Sequence, residues 1–228
     1  MGSGIAANLM KAGFAVRGFD LSEERMAAFA KTGGVVCDDP ADVGNGAEAV
    51  FVMVMNGAQA AEVVGQLATT MAEGTVVILS ATIKAKEARA IWDELEPTGI
   101  AMVDSPVSGG RPGADGGTLT MMAAGSQAAL TAARPAMEAV SANIHHCGDR
   151  VSDGQTVKAC LQSLIGGIFT ATYEACALAA AAGADADAIQ RVFSTSAAGC
   201  GIVNGSVENI INGRFEDTGS LNSSHFVE

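Results

Sequence analysis

Short apolar runs that alternate with helix-like segments constrain the fold of this chain more than any other feature. The runs lie at residues 49–54, 75–79, 101–103, 119–123 and 144–146. Strands that are apolar on both faces must be covered on both sides, and strands that alternate with helices join in parallel. The first part of the chain is therefore predicted to be a doubly wound, mostly parallel α/β sheet.

The pattern changes near residue 148. Residues 151–182 are rich in Ala and Leu and contain no Pro, which predicts a helix of roughly 48 Å. Two shorter helices are predicted after it, the second near residues 203–211. We therefore predict an α/β domain at residues 1–148 and an all-helical domain at residues 149–228.

Composition excludes several classes of protein. The 228 residues are 49% hydrophobic, enough for a buried core, and carry a net charge of −12, which repels nucleic acid. The least charged stretches are too short or too polar for a membrane span, so no membrane partner is expected.

The cysteine and histidine residues indicate the compartment and the absence of a metal site. Five cysteines without a C-x-x-C pair suit the reducing cytoplasm. Adjacent His145 and His146 would point to opposite faces of a strand, so no metal site is expected.

Gly2 and Asp20 resemble the second half of a dinucleotide-binding fingerprint. Gly2 opens a helix, and Asp20 ends the next strand-like segment 18 residues later. Asp20 would accept hydrogen bonds from ribose hydroxyls and repel the extra phosphate of NADP, which predicts NAD as cofactor and a Rossmann-type sheet. An ordinary helix start is the alternative, because the first strand and the first two glycines of the fingerprint are not present.

Candidate ligand-binding segments follow two of the predicted strands. Met55 and Asn56 follow the run at 49–54, and Thr82 follows the run at 75–79. The carboxyl ends of parallel strands are where open α/β sheets bind ligands. Plain turns are the alternative for both segments.

Residues 104–114 are predicted to form a ligand-binding loop. Ser108 offers a hydroxyl group, and Gly109 and Gly110 offer backbone N–H groups that no Cβ atom obstructs. Such a segment can hold a carboxylate or phosphate without net positive charge. A flexible connection is the alternative.

Lys158 is the strongest candidate for chemistry. It shares one face of the long predicted helix with Gly154, Gln162 and Gly166, since these residues are spaced by four. The two glycines leave room for a ligand to approach. A partly desolvated lysine has a lowered pKa and can act as general acid–base on an alcohol or carbonyl; a solvated surface charge is the alternative.

Two segments together resemble the β-hydroxyacid dehydrogenase family, which includes 3-hydroxyisobutyrate dehydrogenase, tartronate semialdehyde reductase and L-threonate dehydrogenase. They are residues 104–121 and Gly154-Gln155-Thr156-Val157-Lys158. The resemblance covers nearly the whole chain. Residues 54–59 and 80–83, with Gln162, are most similar to the L-threonate dehydrogenase branch.

The resemblance implies a role for each candidate residue. Lys158 would be the catalytic acid–base, and NAD the cofactor. The substrate-binding residues would be Ser108, Gly109, Gly110 and Gln162. Met55, Asn56 and Thr82 would contact the cofactor. The expected reaction is oxidation of a small β-hydroxy acid such as L-threonate, with 3-hydroxyisobutyrate or tartronate semialdehyde as alternatives, since many relatives have Asn where Gln162 stands.

The resemblance also implies how the chain relates to a whole enzyme. The family's first strand and a later Lys-Asp motif are not in the sequence, so the chain is expected to be a fragment truncated at both ends. A remnant that binds a nucleotide without catalysis is the alternative of another class. Relatives associate through the helical region, so a homo-oligomer is expected.

Overall fold

The computed structural model describes residues 1–214, which fall into two compact units. The first unit is Met1–Lys158, and the second begins at Ala159. The helix that begins the predicted all-helical domain thus contributes its first turns to the first unit. The division of domains at residue 148 stays a prediction.

The first unit alternates helices with short strands. Its helices are α1 (Gly2–Lys11), α2 (Glu23–Lys31), α3 (Pro40–Gly44), α4 (Gly57–Leu67), α5 (Ala85–Leu95), α6 (Gly110–Gly116), α7 (Gln127–Glu138) and the start of α8 (Asp153–Ala181). Its strands are β1 (Arg17–Gly18), β2 (Val35–Val36), β3 (Ala49–Val52), β4 (Val76–Leu79), β5 (Ala101–Asp104), β6 (Val107–Ser108), β7 (Leu119–Ala124) and β8 (Ser141–Gly148). A 3-10 helix, Glu96–Thr98, follows α5.

The strands form one sheet of six and a separate pair. Strands β3, β4 and β5 are parallel neighbours, while β7 runs antiparallel to β5 and β6 and parallel to β8. Strands β1 and β2 pair in parallel with each other. The prediction of a mostly parallel α/β sheet is confirmed.

Both faces of the main sheet are buried, as the apolar runs predict. On β4, Val76 and Ile78 belong to one apolar cluster, and Val77 and Leu79 belong to another on the opposite face. All four side chains are at most 1% exposed. Because successive strand residues point to opposite faces, a continuous apolar run fills two cores at once.

The loop predicted at residues 104–114 is wrong in its secondary structure. It contains strand β6 and most of helix α6. The two elements meet at Gly109 and Gly110, whose φ angles are 122° and 59°. Residues with side chains rarely adopt these angles, so the glycines permit a sharp entry into the helix.

The second unit is helical, as predicted. Helix α8 runs without a break to Ala181, and Asp185 caps α9 (Ala186–Thr195) by accepting a hydrogen bond from the backbone N–H of Ala188. Helix α10 (Gly201–Ile211) packs against α9.

By length and composition alone α8 could cross a bilayer, so the expectation that no segment is long and apolar enough is wrong. The absence of a membrane partner stays a prediction.

Helix α1 packs closely on α6 at a glycine. A Cβ atom on Gly4 would lie 2.6 Å from Oδ1 of Asp115 and 2.7 Å from the backbone carbon of Ala114. One turn later, the side-chain amide of Asn8 donates a hydrogen bond to the carbonyl oxygen of Ala114 at 2.8 Å. The close contact holds the first turns of α1 against α6.

Replacing Gly4 by Ala should therefore lower the free energy of unfolding by about 1–3 kcal/mol, because the added methyl group forces the two helices apart. Gly65 in α4 has nothing within 4 Å of the same added atom. Gly65→Ala should raise that free energy by about 0.5–1 kcal/mol. Urea unfolding followed by the fluorescence of Trp92 measures both, and equal effects would contradict the close packing of Gly4.

Candidate functional site

A buried carboxylate at the carboxyl end of β5 fixes the start of α8. Asp104 is fully buried, and its Oδ2 accepts hydrogen bonds from the backbone N–H groups of Ser152 and Gln155, each at 3.0 Å. Its Oδ1 accepts one from the side-chain amide of Gln155 at 2.8 Å. Desolvation raises the pKa of Asp104 to about 6, although these hydrogen bonds lower it.

Gly154 lets the helix approach the sheet. A Cβ atom there would lie 2.4 Å from the carbonyl oxygen of Met122 and 2.7 Å from that of Asp104. The interpretation that Gly154 leaves room for a ligand is therefore wrong, because the backbone of β5 and β7 fills that space. Close approach of two backbones is a common reason for glycine in a helix.

Lys158 lies one turn further along α8. Its side chain is buried, at 4% exposure, and Nζ donates a hydrogen bond to the carbonyl oxygen of Val107 at 2.8 Å. Burial lowers the pKa of the Lys158 amine to about 8. The amine therefore contacts the residue that precedes Ser108. Because its pKa is about 8, both the charged and the neutral form of the amine are accessible near neutral pH.

The segment after Val107 presents backbone rather than side chains. Ser108 ends β6 and is partly exposed, while Gly109 is exposed and precedes α6. A Cβ atom on Gly110 would meet only Pro112 within 4 Å. The backbone at Gly110 is therefore open, three residues after the carbonyl group that Lys158 contacts.

The segments after β3 and β4 lie side by side. Met55 is 63% exposed, and Asn56 caps α4 by accepting a hydrogen bond from a backbone N–H. A Cβ atom on Gly57 would lie 2.4 Å from the Glu87 carboxylate of α5. The exposed Thr82 lies between β4 and α5, three residues before the helix begins, so three of the predicted cofactor residues share one edge of the sheet.

The remaining candidates make no described side-chain hydrogen bond to this cluster. Gly2 begins α1, has open space around it, and follows Met1, which makes no side-chain capping bond. Asp20 accepts a hydrogen bond from the backbone N–H of Ser22 at 2.9 Å and faces Arg25 at 3.4 Å. Gln162 belongs to the second unit. Gln162 lies one turn after Lys158 on α8, whereas no described hydrogen bond within residues 1–214 connects Gly2 or Asp20 with Lys158.

Asp104 and Gln155 are the residues that the sequence interpretation missed. Both are polar and at most 1% exposed. The sequence signal for Asp104 was its position directly after the apolar run at 101–103, at the ligand-binding edge of the sheet. No comparable signal in the sequence points to Gln155. Within residues 1–214, no group of three or more His, Cys, Asp or Glu side chains could hold a metal ion.

The sheet, with its polar carboxyl edge and buried lysine, has the architecture of a dinucleotide-binding oxidoreductase. The family described as the NAD binding domain of 6-phosphogluconate dehydrogenase matches residues 1–148. The family described as NAD-binding of NADP-dependent 3-hydroxyisobutyrate dehydrogenase matches residues 152–225.

Relatives of known activity and structure agree. L-threonate dehydrogenase of Cupriavidus necator is 35% identical over 218 residues, covering 94% of this chain and 73% of the relative. NAD-dependent L-serine dehydrogenase of Pseudomonas aeruginosa is 36% identical over 203 residues, covering 87% of this chain and 67% of the relative. The crystal structure of 3-hydroxyisobutyrate dehydrogenase from Salmonella typhimurium superposes with a TM-score of 0.86 at 31% identity, covering 94% of this chain and 76% of that one.

The chain belongs to the β-hydroxyacid dehydrogenase family of NAD(P)-dependent oxidoreductases that act on CH–OH groups. The family resemblance predicted from the motifs is confirmed. The expected nicotinamide dinucleotide cofactor is confirmed as well. The coarse class of substrate, a small hydroxy acid, follows from the family as well.

The pKa of Asp104 makes stability depend on pH. Its folded-state pKa of about 6 exceeds the ordinary 3.8, so the folded chain binds this proton more tightly than the unfolded chain. The stability that Asp104 contributes is therefore full below about pH 4 and is lost as the pH rises through about 6.

Asp104→Asn removes that titration. The difference in the free energy of unfolding between wild type and variant should fall by up to about 3 kcal/mol between pH 4 and pH 7. Urea unfolding at a series of pH values measures it, with the half-exposed Asp93→Asn as control. Parallel pH curves for wild type and Asp104→Asn would show that Asp104 titrates normally.

Proposed function

We propose that this protein catalyses NAD-dependent oxidation of a small β-hydroxy acid, with L-threonate as the preferred substrate and Lys158 as the acid–base. The observation that carries the proposal is the buried Lys158 amine, 2.8 Å from the carbonyl oxygen of Val107. Lys158 is buried at the ligand-binding edge of the sheet, and its described bonds include no ion pair. These properties are those expected of a side chain that exchanges protons with a substrate.

The residues present fit a dinucleotide. The first turn of α1, from Gly2, has no side-chain cap on its N–H groups, which suits a pyrophosphate. Asp20 keeps acceptor capacity for ribose hydroxyls, since its two described partners are Ser22 and Arg25. Met55, Asn56 and Thr82 would border the cofactor at the carboxyl ends of β3 and β4.

In this proposal the substrate carboxylate binds to the backbone of Ser108, Gly109 and Gly110, and Gln162 orients the substrate. The alcohol oxygen faces Lys158. When bound, the nicotinamide supplies the hydride acceptor. During oxidation the neutral amine of Lys158 accepts the hydroxyl proton, and during reduction its ammonium returns a proton to the carbonyl oxygen.

Lys158→Ala and the volume-conserving Lys158→Met should each lower kcat by about 10²–10⁴-fold and leave cofactor affinity nearly unchanged, because general acid–base catalysis is lost. In the wild type, kcat for oxidation should rise as the pH rises through about 8, where the amine becomes neutral. For reduction, kcat should fall over the same range.

Steady-state kinetics from pH 6 to pH 10 and cofactor titration by fluorescence measure these effects. Lys11→Ala, which removes an exposed lysine in the last turn of α1, is the matched control and should behave like wild type. A Lys158→Ala enzyme that keeps more than about a tenth of the activity would refute the assignment.

A substrate panel tests the finer specificity. L-threonate with NAD should give the highest kcat/KM, above 3-hydroxyisobutyrate, D-glycerate and L-serine, and reduction of tartronate semialdehyde should be slower. NADP should be the poorer cofactor, because Asp20 repels its extra phosphate. Another leading substrate would overturn the L-threonate assignment, and no turnover with any of them would favour a nucleotide-binding protein without catalysis.

Association of copies is the remaining part of the proposal. Helix α8 exposes large side chains, among them Leu164, Tyr173 and Leu178, which are 62%, 50% and 72% exposed. Burial of such side chains against another copy is favourable. We therefore infer a homo-oligomer, and light scattering tests this by measuring the molar mass in solution.

A cytoplasmic location stays a prediction.

A further inference from the structure

The side chain of Gln155 joins two segments that are distant in sequence. It is 1% exposed. Its Oε1 accepts a hydrogen bond from the backbone N–H of Ile83 at 3.0 Å, and its Nε2 donates to the carbonyl oxygen of Ala81 at 2.9 Å and to Asp104 Oδ1 at 2.8 Å. Both amide hydrogens and the carbonyl oxygen of this side chain are therefore engaged.

These bonds have a fixed direction. The Ile83 N–H is a donor, whereas the Ala81 carbonyl and the Asp104 carboxylate are acceptors. Rotating the amide by half a turn would set donor against donor and acceptor against acceptor. Gln155 thus holds one arrangement of the segment at residues 81–83 relative to β5.

Lys158 and its hydrogen-bond partner Val107 lie close in sequence to Gln155 and Asp104. Lys158 lies three residues after Gln155 on α8, and its Nζ bonds to Val107, three residues after Asp104. The segment at residues 81–83 contains Thr82, the expected cofactor contact. One side chain therefore joins the cofactor segment to the strand and the helix turn that hold the lysine.

We propose that Gln155 is a positioning residue, which holds the Thr82 segment at a fixed place relative to Lys158. This inference rests on the proposed function, in which Lys158 exchanges the substrate proton. A shift of about 1 Å between reacting groups can cost 10²-fold in rate. Loss of the Gln155 bonds should therefore lower turnover in a protein that is still folded.

The test uses Gln155→Leu, which removes all three bonds, and Gln155→Asn, which keeps a buried amide but is one methylene group too short to reach all three partners. The matched control is Thr156→Val. Thr156 is exposed, and its hydroxyl bonds to the carbonyl oxygen of Ser152 within the same turn. Should the Leu variant fail to fold, the Asn variant carries the test.

Two measurements are made on each variant, at a temperature where circular dichroism and Trp92 fluorescence show it to be folded. The first is the hydrogen-exchange rate of the Ile83 amide by NMR, without cofactor. The second is kcat and KM for the hydroxy acid with saturating cofactor. We expect Ile83 exchange at least tenfold faster and kcat at least tenfold lower in both Gln155 variants. The substrate KM and the Thr156→Val enzyme should stay within threefold of wild type.

A residue that only stabilises the fold would lower the melting temperature and leave kcat per folded molecule unchanged. Unchanged Ile83 exchange, or a kcat above a tenth of the wild-type value, would overturn the proposal. An inactive Lys158→Ala enzyme beside a wild-type-like Gln155→Leu enzyme overturns the role of Gln155 alone. An active Lys158→Ala enzyme overturns the proposed function, whatever Gln155 does.

Discussion

The burial of the Asp104 carboxylate is the constraint on which the rest of the site depends. A charged group without solvent is costly unless donors surround it, and the backbone N–H groups of Ser152 and Gln155 supply two of them. These donors belong to the turn that begins α8. Satisfying the carboxylate therefore fixes where the helix starts and how close it comes to β5.

Close contact then determines the chemistry of Lys158. Because Gly154 has no side chain, the first turn of α8 reaches the backbone of β5 and β7. The next turn consequently carries Lys158 into a buried position, where Val107 accepts one of its hydrogen bonds. Desolvation brings the pKa of the amine to about 8, so the packing that builds the domain also adjusts the proton affinity of the group proposed to react.

The same edge of the sheet gathers the other polar segments. The starts of α4 and α5 meet at Gly57 and Glu87, which sets the segments carrying Asn56 and Thr82 next to each other. Gln155 ties the second of these segments to Asp104. Gln155 thus joins the segment after β4, the end of β5 and the first turn of α8 in one polar network, although each comes from a different part of the chain.

The sequence by itself determined the elements and several of the candidate residues. Apolar runs identified β3, β4 and β5, the Ala-rich stretch identified α8, and short motifs singled out Lys158 and the glycines after Ser108. Tertiary structure alone decided that Asp104 and Gln155 anchor the site and that Gly154 faces the sheet. The physical reason is distance along the chain: Asp104 bonds to Gln155, and Val107 to Lys158, across 51 residues. Local periodicity reports which face of an element is apolar, but it does not report which buried polar groups will meet once the elements pack.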